Sequence, residues 1–361
     1  MKLGVIGLPN VGKSTLFNAL TAAGAAAANY PFCTIEPNIG IVPVPDERLG
    51  ALAERYKPDK ITPATVTFVD IAGLVRGASR GEGLGNQFLS HIREVDALVH
   101  VVRAFADPDV VHVDGRIDPA DDVATIDTEL CLADLQSVEK ALERTAKAAK
   151  SGDATAQAMI LVLNKAREML EAGNALRGGD WTPEEHAALK SCFLLTTKPV
   201  LFVANIGEGD IGEAETLPGV VALRAAVGEA VLPISARIES EIAALEPEER
   251  EVFLQEVGLE RSGLERLAQA GYELLGLISF LTAGPKEVRA WPIVRGTKAP
   301  GAAGTIHTDF EKGFIKAEIV AYDALMGCDN YTAARERGLV RQEGRDYTMQ
   351  DGDVTLFKFN V

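Results

Sequence analysis

Four cysteines in 361 residues, Cys33, Cys131, Cys192 and Cys328, stand far apart with no C-x-x-C pair. That scarcity favours reduced thiols in a cytoplasmic protein over a disulfide framework or a zinc site. Long apolar runs are also missing: none reaches the roughly 18 residues of a membrane span, so no membrane partner is expected. Basic residues are short, with 36 Lys and Arg against 52 Asp and Glu and a net charge of -16. A phosphate backbone would be repelled overall, which argues against a DNA partner. The shortage is uneven. Residues 278–361 hold 11 Lys and Arg against 11 Asp and Glu, so an RNA contact would need a local patch, expected in that tail. A cleaved secretory signal is not expected, because a Gly-rich motif begins at once and must survive.

What is present is a soluble composition, 47% hydrophobic and 24% charged. The length predicts two or three domains. A short apolar run, Leu3 to Ile6, leads into Gly7-Leu8-Pro9-Asn10-Val11-Gly12-Lys13-Ser14 and then into the helical pattern Thr15-Leu16-Phe17-Asn18-Ala19-Leu20. The octet fits G-x-x-x-x-G-K-[ST] in its required context of strand, turn and helix. Backbone N–H groups there form an anion nest, aided by the positive end of the helix dipole. Gly7 and Gly12 are expected to let the backbone approach phosphates. Lys13 would place a cation between the β- and γ-phosphates, and Ser14 would ligate Mg2+. The motif predicts a bound nucleoside triphosphate.

The alternating strand Thr65 to Asp70 ends in Asp70-Ile71-Ala72-Gly73, a D-x-x-G match. Asp70 is expected in the Mg2+ shell, and the Gly73 N–H is expected to sense the γ-phosphate. Thr34, in a Pro-bounded segment, is the candidate switch threonine for Mg2+, or else an ordinary loop residue. The Gly-rich stretch Gly77 to Asn86 predicts a second switch. The residue after D-x-x-G is Leu74, where Ras-like proteins carry the Gln that orients water. The nearest group able to handle a proton is His112, read either as catalytic or as structural; His91 and His100 fall at helix and strand positions.

From Ala124 to about Ser191 the periodicity is helical, broken by a turn at Lys150 to Asp153. Thr182-Pro183-Glu184-Glu185 opens a third helix with a capping box. This insertion, about 124–198, is expected to be a helical hairpin of partly coiled-coil character, serving either as a docking arm or as a stabilising appendage. Asn164-Lys165-Ala166-Arg167 imitates the guanine-reading N-K-x-D but ends in Arg within that helical run. The better base-reading candidate follows the strand Pro199 to Ala204, where Asn205-Ile206-Gly207-Glu208 gives N-x-x-E. Without the Lys, and with one more methylene before the carboxylate, guanine selectivity should be weak and adenine becomes acceptable. Ser235 and Ala236, ending another strand, are expected to line the base pocket. Glu239 to Gly276 reads as acidic amphipathic helix that closes a domain spanning 1–277, and Val288–Val294, Gly313–Ala321 and Val354–Phe359 read as strands of a small mixed domain, 278–361.

Several separated motifs together resemble the YchF / Obg-like ATPase family: NVGKST at 10–15, PFCTIEPN at 31–38, DIAGLVRGAS at 70–79, GEGLGNQFL at 81–89 and HTDFEKGFI at 307–315. The resemblance implies an α/β phosphate-loop nucleotidase domain with a helical hairpin and a small α+β, ubiquitin-like TGS domain. It implies ATP in preference to GTP, Mg2+, and association with the ribosome, which we expect to run through the hairpin and TGS domain of a monomer. Leu74, with no polar group to hold the water, leads us to expect slow turnover. It also implies Asn10, Val11, Gly12, Lys13, Ser14 and Thr15 on the phosphates, Ser14 and Thr34 on Mg2+, Ile206 against the base, and His112 as a catalytic group. Rival readings are a GTPase of the Obg type and a binding module toggled by nucleotide.

Overall fold

A computed structural model of the chain describes residues 1–26, 38–72, 84–106, 117–150 and 152–360. Thr34, Gly73, Leu74, most of the Gly-rich switch candidate and His112 lie outside the described residues. In chain order the first elements are β1 (Lys2–Ile6), α1 (Lys13–Ala26), β2 (Ile39–Pro43), α2 (Glu47–Tyr56), β3 (Lys60–Thr62) and β4 (Thr65–Asp70). Then come α3 (Leu84–Glu94), β5 (Ala97–Arg103), α4 (Pro119–Ala149), α5 (Ala154–Glu171), α6 (Pro183–Lys190), β6 (Val200–Asn205), α7 (Pro218–Val227) and β7 (Val231–Ile234). Next are α8 (Ala236–Ala244), α9 (Pro247–Glu256), α10 (Gly263–Leu274), β8 (Leu277–Ala283), β9 (Glu287–Val294), α11 (Ala299–Ile306) and α12 (Thr308–Lys312). The chain closes with β10 (Phe314–Ala321), α13 (Tyr322–Met326), α14 (Tyr331–Glu336), β11 (Arg341–Glu343) and β12 (Asp353–Phe359).

Two compact units form, one from Met1–Ala25, Ile35–Gly40 and Thr67–Leu264, the other from the remaining residues. The first is built on a sheet in which β4, β1, β5, β6 and β7 lie side by side and parallel. Every residue of β5 and β6 is buried, as expected of apolar parallel strands covered on both faces. Parallel pairing needs crossover segments, and the one between β5 and β6 is the expected helical insertion. Asp118 caps α4 through the Asp121 N–H at 3.2 Å, Asp153 caps α5 through the Thr155 N–H at 2.9 Å, and the Thr182–Glu185 capping box opens α6 as expected. These helices share a core that includes Val138, Leu163, Ala166, Leu170 and Leu189. At the hairpin's root the fully buried Asp134 carboxylate accepts from the Leu195 N–H (2.8 Å), the Thr196 N–H (2.7 Å) and the Thr196 hydroxyl (2.7 Å). Burial pushes its pKa up while those hydrogen bonds oppose the shift.

The second unit carries a mixed sheet in the order β11-β10-β12-β8-β9-β3. Its centre is the parallel pair β12 and β8, flanked by antiparallel β10 on one side and β9 on the other. The short helix α11 packs Ala299, Ala302 and Ala303 with Phe280, Ile319 and Phe357 of the sheet, the ubiquitin-like arrangement. Three alanines let the helix approach closely.

Two expectations need correction. The boundary at 277/278 is not where the packing divides, because residues 41–66 belong to the C-terminal unit. There β3 pairs in parallel with β9, Lys60 opposite Glu287, and the Thr62 hydroxyl donates to Glu287 Oε1 at 2.6 Å. From α2, Arg55 donates to the Leu325 and Met326 carbonyls, at 2.6 and 3.1 Å. Nothing in local patterning reports a pairing partner some 225 residues away. The second correction concerns Glu239 to Gly276, which is three helices rather than one. Pro247 starts α9, and Gly258 with φ 74° follows its end.

Candidate functional site

The C-terminal ends of β1, β6 and β7, with residues 105 and 106 beyond β5, open on a cleft of about 870 Å³. Crevices at the carboxyl ends of parallel strands are the ordinary place for a ligand in such sheets. The loop from Gly7 to Gly12 enters it in a conformation that few side chains tolerate. Asn10 sits at φ 64° and Gly12 at φ 89°; Asn is among the non-glycine residues that accept the left-handed region. The glycines have a more local reason than room for a ligand. A Cβ on Gly7 would lie 2.6 Å from the Val101 carbonyl oxygen, and one on Gly12 would overlap the Asn205 carboxamide.

Beyond Gly12 the chain turns into α1, with the Leu16 N–H closing the first helical bond onto the Gly12 carbonyl at 3.0 Å. The N–H groups of the first turn therefore face the cleft without helical acceptors. Ser14 and Thr15 are exposed there. The Lys13 ammonium is largely buried and forms an ion pair with Asp70 at the end of β4. Of the candidate residues within the described chain, Asn10, Gly12, Lys13, Ser14, Thr15, Asn205, Ile206, Glu208, Ser235 and Ala236 all line the cleft. Val11 is buried and is not among the lining residues, and Asp70 is tied to the cleft through its ion pair with Lys13.

Asn205 shows a part that its spacing did not disclose. Buried at the end of β6, it donates through Nδ2 to the Val11 carbonyl (2.9 Å) and accepts at Oδ1 from the Ala236 N–H (3.0 Å). One carboxamide thus fastens the Gly-rich loop to the start of α8. Beside it Ile206 is buried, its N–H donated to the Ile234 carbonyl at 3.0 Å, which ties β6 to β7. Ser235 precedes α8 as its cap residue without capping it, and its buried hydroxyl has no hydrogen-bond partner among the described residues. A buried hydroxyl left unpaired costs stability unless something polar meets it. On the rim, Glu208 and Arg237 form an ion pair at 3.1 Å.

The imitation guanine motif has a structural use. Lys165 lies on α5, donates to Glu185 Oε2 at 3.1 Å and stands over the Trp181 ring, 4.3 Å from its centroid. His100 on β5 is buried against Phe202, its pKa pushed down to about 4 by burial, so it stays neutral and away from the cleft. Sequence reading missed Phe105 and Ala106, which line the cleft. Their position just beyond β5 was the available signal. Arg103, fully buried, donates to the Phe105 carbonyl at 3.1 Å and stacks 4.5 Å from its ring centroid, holding that corner in place.

The residues suit Mg2+ by their chemistry. Asp70 is held at Lys13, next to the exposed Ser14 hydroxyl. Among the described residues no group of three His, Cys, Asp or Glu could cage a metal. One carboxylate and one hydroxyl are the donor set for an ion held chiefly by phosphates and water.

Comparison with known proteins agrees with this architecture. A family model described as 50S ribosome-binding GTPase matches residues 2–165, and a YchF-GTPase C-terminal model, itself described as a protein of unknown function, matches residues 277–360. The chain is 55% identical to the Ribosome-binding ATPase YchF of Haemophilus influenzae, covering 100% of this chain and 99% of the relative. The chain belongs to the YchF family. Its likeness to the Bacillus subtilis Ribosome-binding ATPase YchF is 52% over 99% of each chain, and to Obg-like ATPase 1 of Oryza sativa 44% over 100% of this chain and 92% of the relative. A solved Schizosaccharomyces pombe structure, named a YchF GTPase, superposes with a TM-score of 0.90 at 39% identity, over 99% of this chain and 97% of that one. The names of these YchF relatives differ on ATP and GTP, so the nucleotide has to be argued from the cleft.

Proposed function

We propose that this chain is a nucleotide-hydrolysing switch that prefers ATP over GTP and associates with the ribosome in one nucleotide state. The observation that carries it is the joining of the phosphate-loop turn, the N-terminus of α1 and the N-x-x-E segment in one cleft through Asn205. Asn10 to Thr15 hold the phosphates, Lys13 leaves Asp70 to meet them, and Ser14, Thr34 and Asp70 serve the Mg2+. When bound, Mg2+ neutralises charge on the β- and γ-oxygens. Gly73 senses the γ-phosphate, while Ile206, Ser235, Ala236, Asn205 and Glu208 form the base end. Leu74 cannot orient water, so turnover is slow, and His112 is the proposed catalytic group. The names of the relatives support ribosome association. The proposed setting is the cytoplasm, with the chain acting as a monomer; no helix among the described residues is long and apolar enough to cross a membrane.

The test is co-sedimentation with ribosomes in ATP, ADP or a non-hydrolysable ATP analogue, with Lys13→Ala as the nucleotide-blind control. Pelleting should differ at least severalfold between states in the wild type and not in the control. Equal pelleting in every state would remove the switch.

A further inference from the structure

The ion pair on the cleft rim joins the last residue of the N-x-x-E segment to the second residue of α8. Arg237 Nε lies 3.1 Å from Glu208 Oε2, and the same nitrogen is 3.8 Å from Glu241 Oε1 one helical turn on. Both partners line the cleft. Both are open to solvent, with 72% of the Arg237 side chain and 50% of the Glu208 side chain exposed. The pair is therefore not a core device that stabilises the fold. Its position at the base end of the cleft gives it another use.

A carboxylate reads guanine by accepting two parallel N–H bonds, from ring N1 and from the exocyclic amine, and needs both oxygens to do so. Adenine offers its exocyclic amine, for which one oxygen suffices. With a guanidinium, which can only donate, set beside Oε2 of Glu208, that oxygen is turned towards the cation and is the weaker acceptor of the two for a base. We infer that Arg237 is a specificity-determining residue: by placing its charge beside one oxygen of Glu208 it weakens the two-point contact that guanine needs and tilts the cleft towards adenine. Ser235, two residues before Arg237, lines the same cleft with a buried hydroxyl that has no partner among the described residues, an independent sign that a ligand's polar edge is met here. The inference rests on the nucleotide reading above. It adds a residue that no part of the N-x-x-E pattern contains.

Calorimetric titration of the full chain with ATP and with GTP, each with Mg2+, tests it in the wild type, in Arg237→Ala and in Arg237→Ala combined with Glu208→Gln. Arg237 is exposed on a helix, so Ala is compatible with folding, and Arg237→Gln serves as a second variant. The GTP-to-ATP affinity ratio should rise about fivefold in Arg237→Ala, the ceiling for an exposed ion pair, and return to the wild-type value in the double variant. A ratio within twofold of wild type in both Arg237 variants would overturn the inference, as would a gain that survives loss of the Glu208 carboxylate. The wild-type ratio alone reports on the ATP reading, so the two can fail separately: a wild type that prefers GTP defeats that reading, and an unmoved ratio defeats the role of Arg237.

Discussion

In the C-terminal unit several buried polar side chains find their partners within the unit, although the Tyr331 hydroxyl has none among the described residues. Asp353, buried at the start of β12, accepts from the Tyr347 hydroxyl and the Gln350 N–H, both at 2.9 Å, and Tyr272 pairs with Ser279 at 2.7 Å. Arg48 lies against both Asp46 and Asp351, which raises its pKa further. At the strand ends of the first unit the arrangement is the reverse. The loop holds left-handed backbone at Asn10 and Gly12, the first turn of α1 presents N–H groups that have no acceptor within the helix, and the buried Ser235 hydroxyl has no partner among the described residues. Around Asp353, Tyr272 and Arg48 the polar groups answer one another, whereas the strand ends of the first unit are arranged for something that arrives. Strain and unmet polar groups collect where binding can offset them.

That contrast can be broken by mutation. The largest effect should come from Phe280→Ala. Phe280 is fully buried between Trp291, with ring centroids 6.2 Å apart, and Phe357, at 5.6 Å. Truncation should cost the unit about 3–5 kcal/mol, read as an earlier denaturant midpoint, while nucleotide affinity stays within twofold. Loss of nucleotide binding in a variant whose first unit remains folded would blur the division. Asn205→Ala should do both things at once. Removing the carboxamide strands the Val11 carbonyl and the Ala236 N–H, at about 1–3 kcal/mol for each buried group, and it frees the loop, so affinity for nucleotide should fall at least tenfold. If stability drops and affinity does not, the carboxamide is structural only.

The smallest effect concerns His100, whose buried Nε2 has no partner among the described residues although it lies outside the cleft. Its folded pKa is lowered from 6.5 to about 4, chiefly by burial. The unfolded chain therefore takes up the proton first, and stability present at neutral pH is lost as the pH falls from about 6.5 towards 4. Denaturant midpoints should fall between pH 7.5 and pH 5, and His100→Gln should fall less over the same interval. Equal losses would mean that other groups carry the acid sensitivity.

Much of this was legible in the sequence because it is local. The strand, turn and helix around Lys13, the capping box at Thr182 and Glu185, and the helical period from α4 to α6 are all decided by neighbours in the chain. The role of Asn205 was only half legible. Its spacing pointed to the cleft, but the bond to the Val11 carbonyl joins residues 194 positions apart. The same limit hid the union of β3 with β9, and it made Gly7 and Gly12 look like openings for a ligand when their first neighbours are Val101 and Asn205. The Arg237 contact was likewise invisible, since nothing in N-x-x-E names a residue on another helix.

The central claim is that the cleft takes ATP in preference to GTP. Competition binding of the two nucleotides to the wild-type chain, with Mg2+ present, tests it most directly. The account predicts tighter binding of ATP; a tenfold preference for GTP would contradict it.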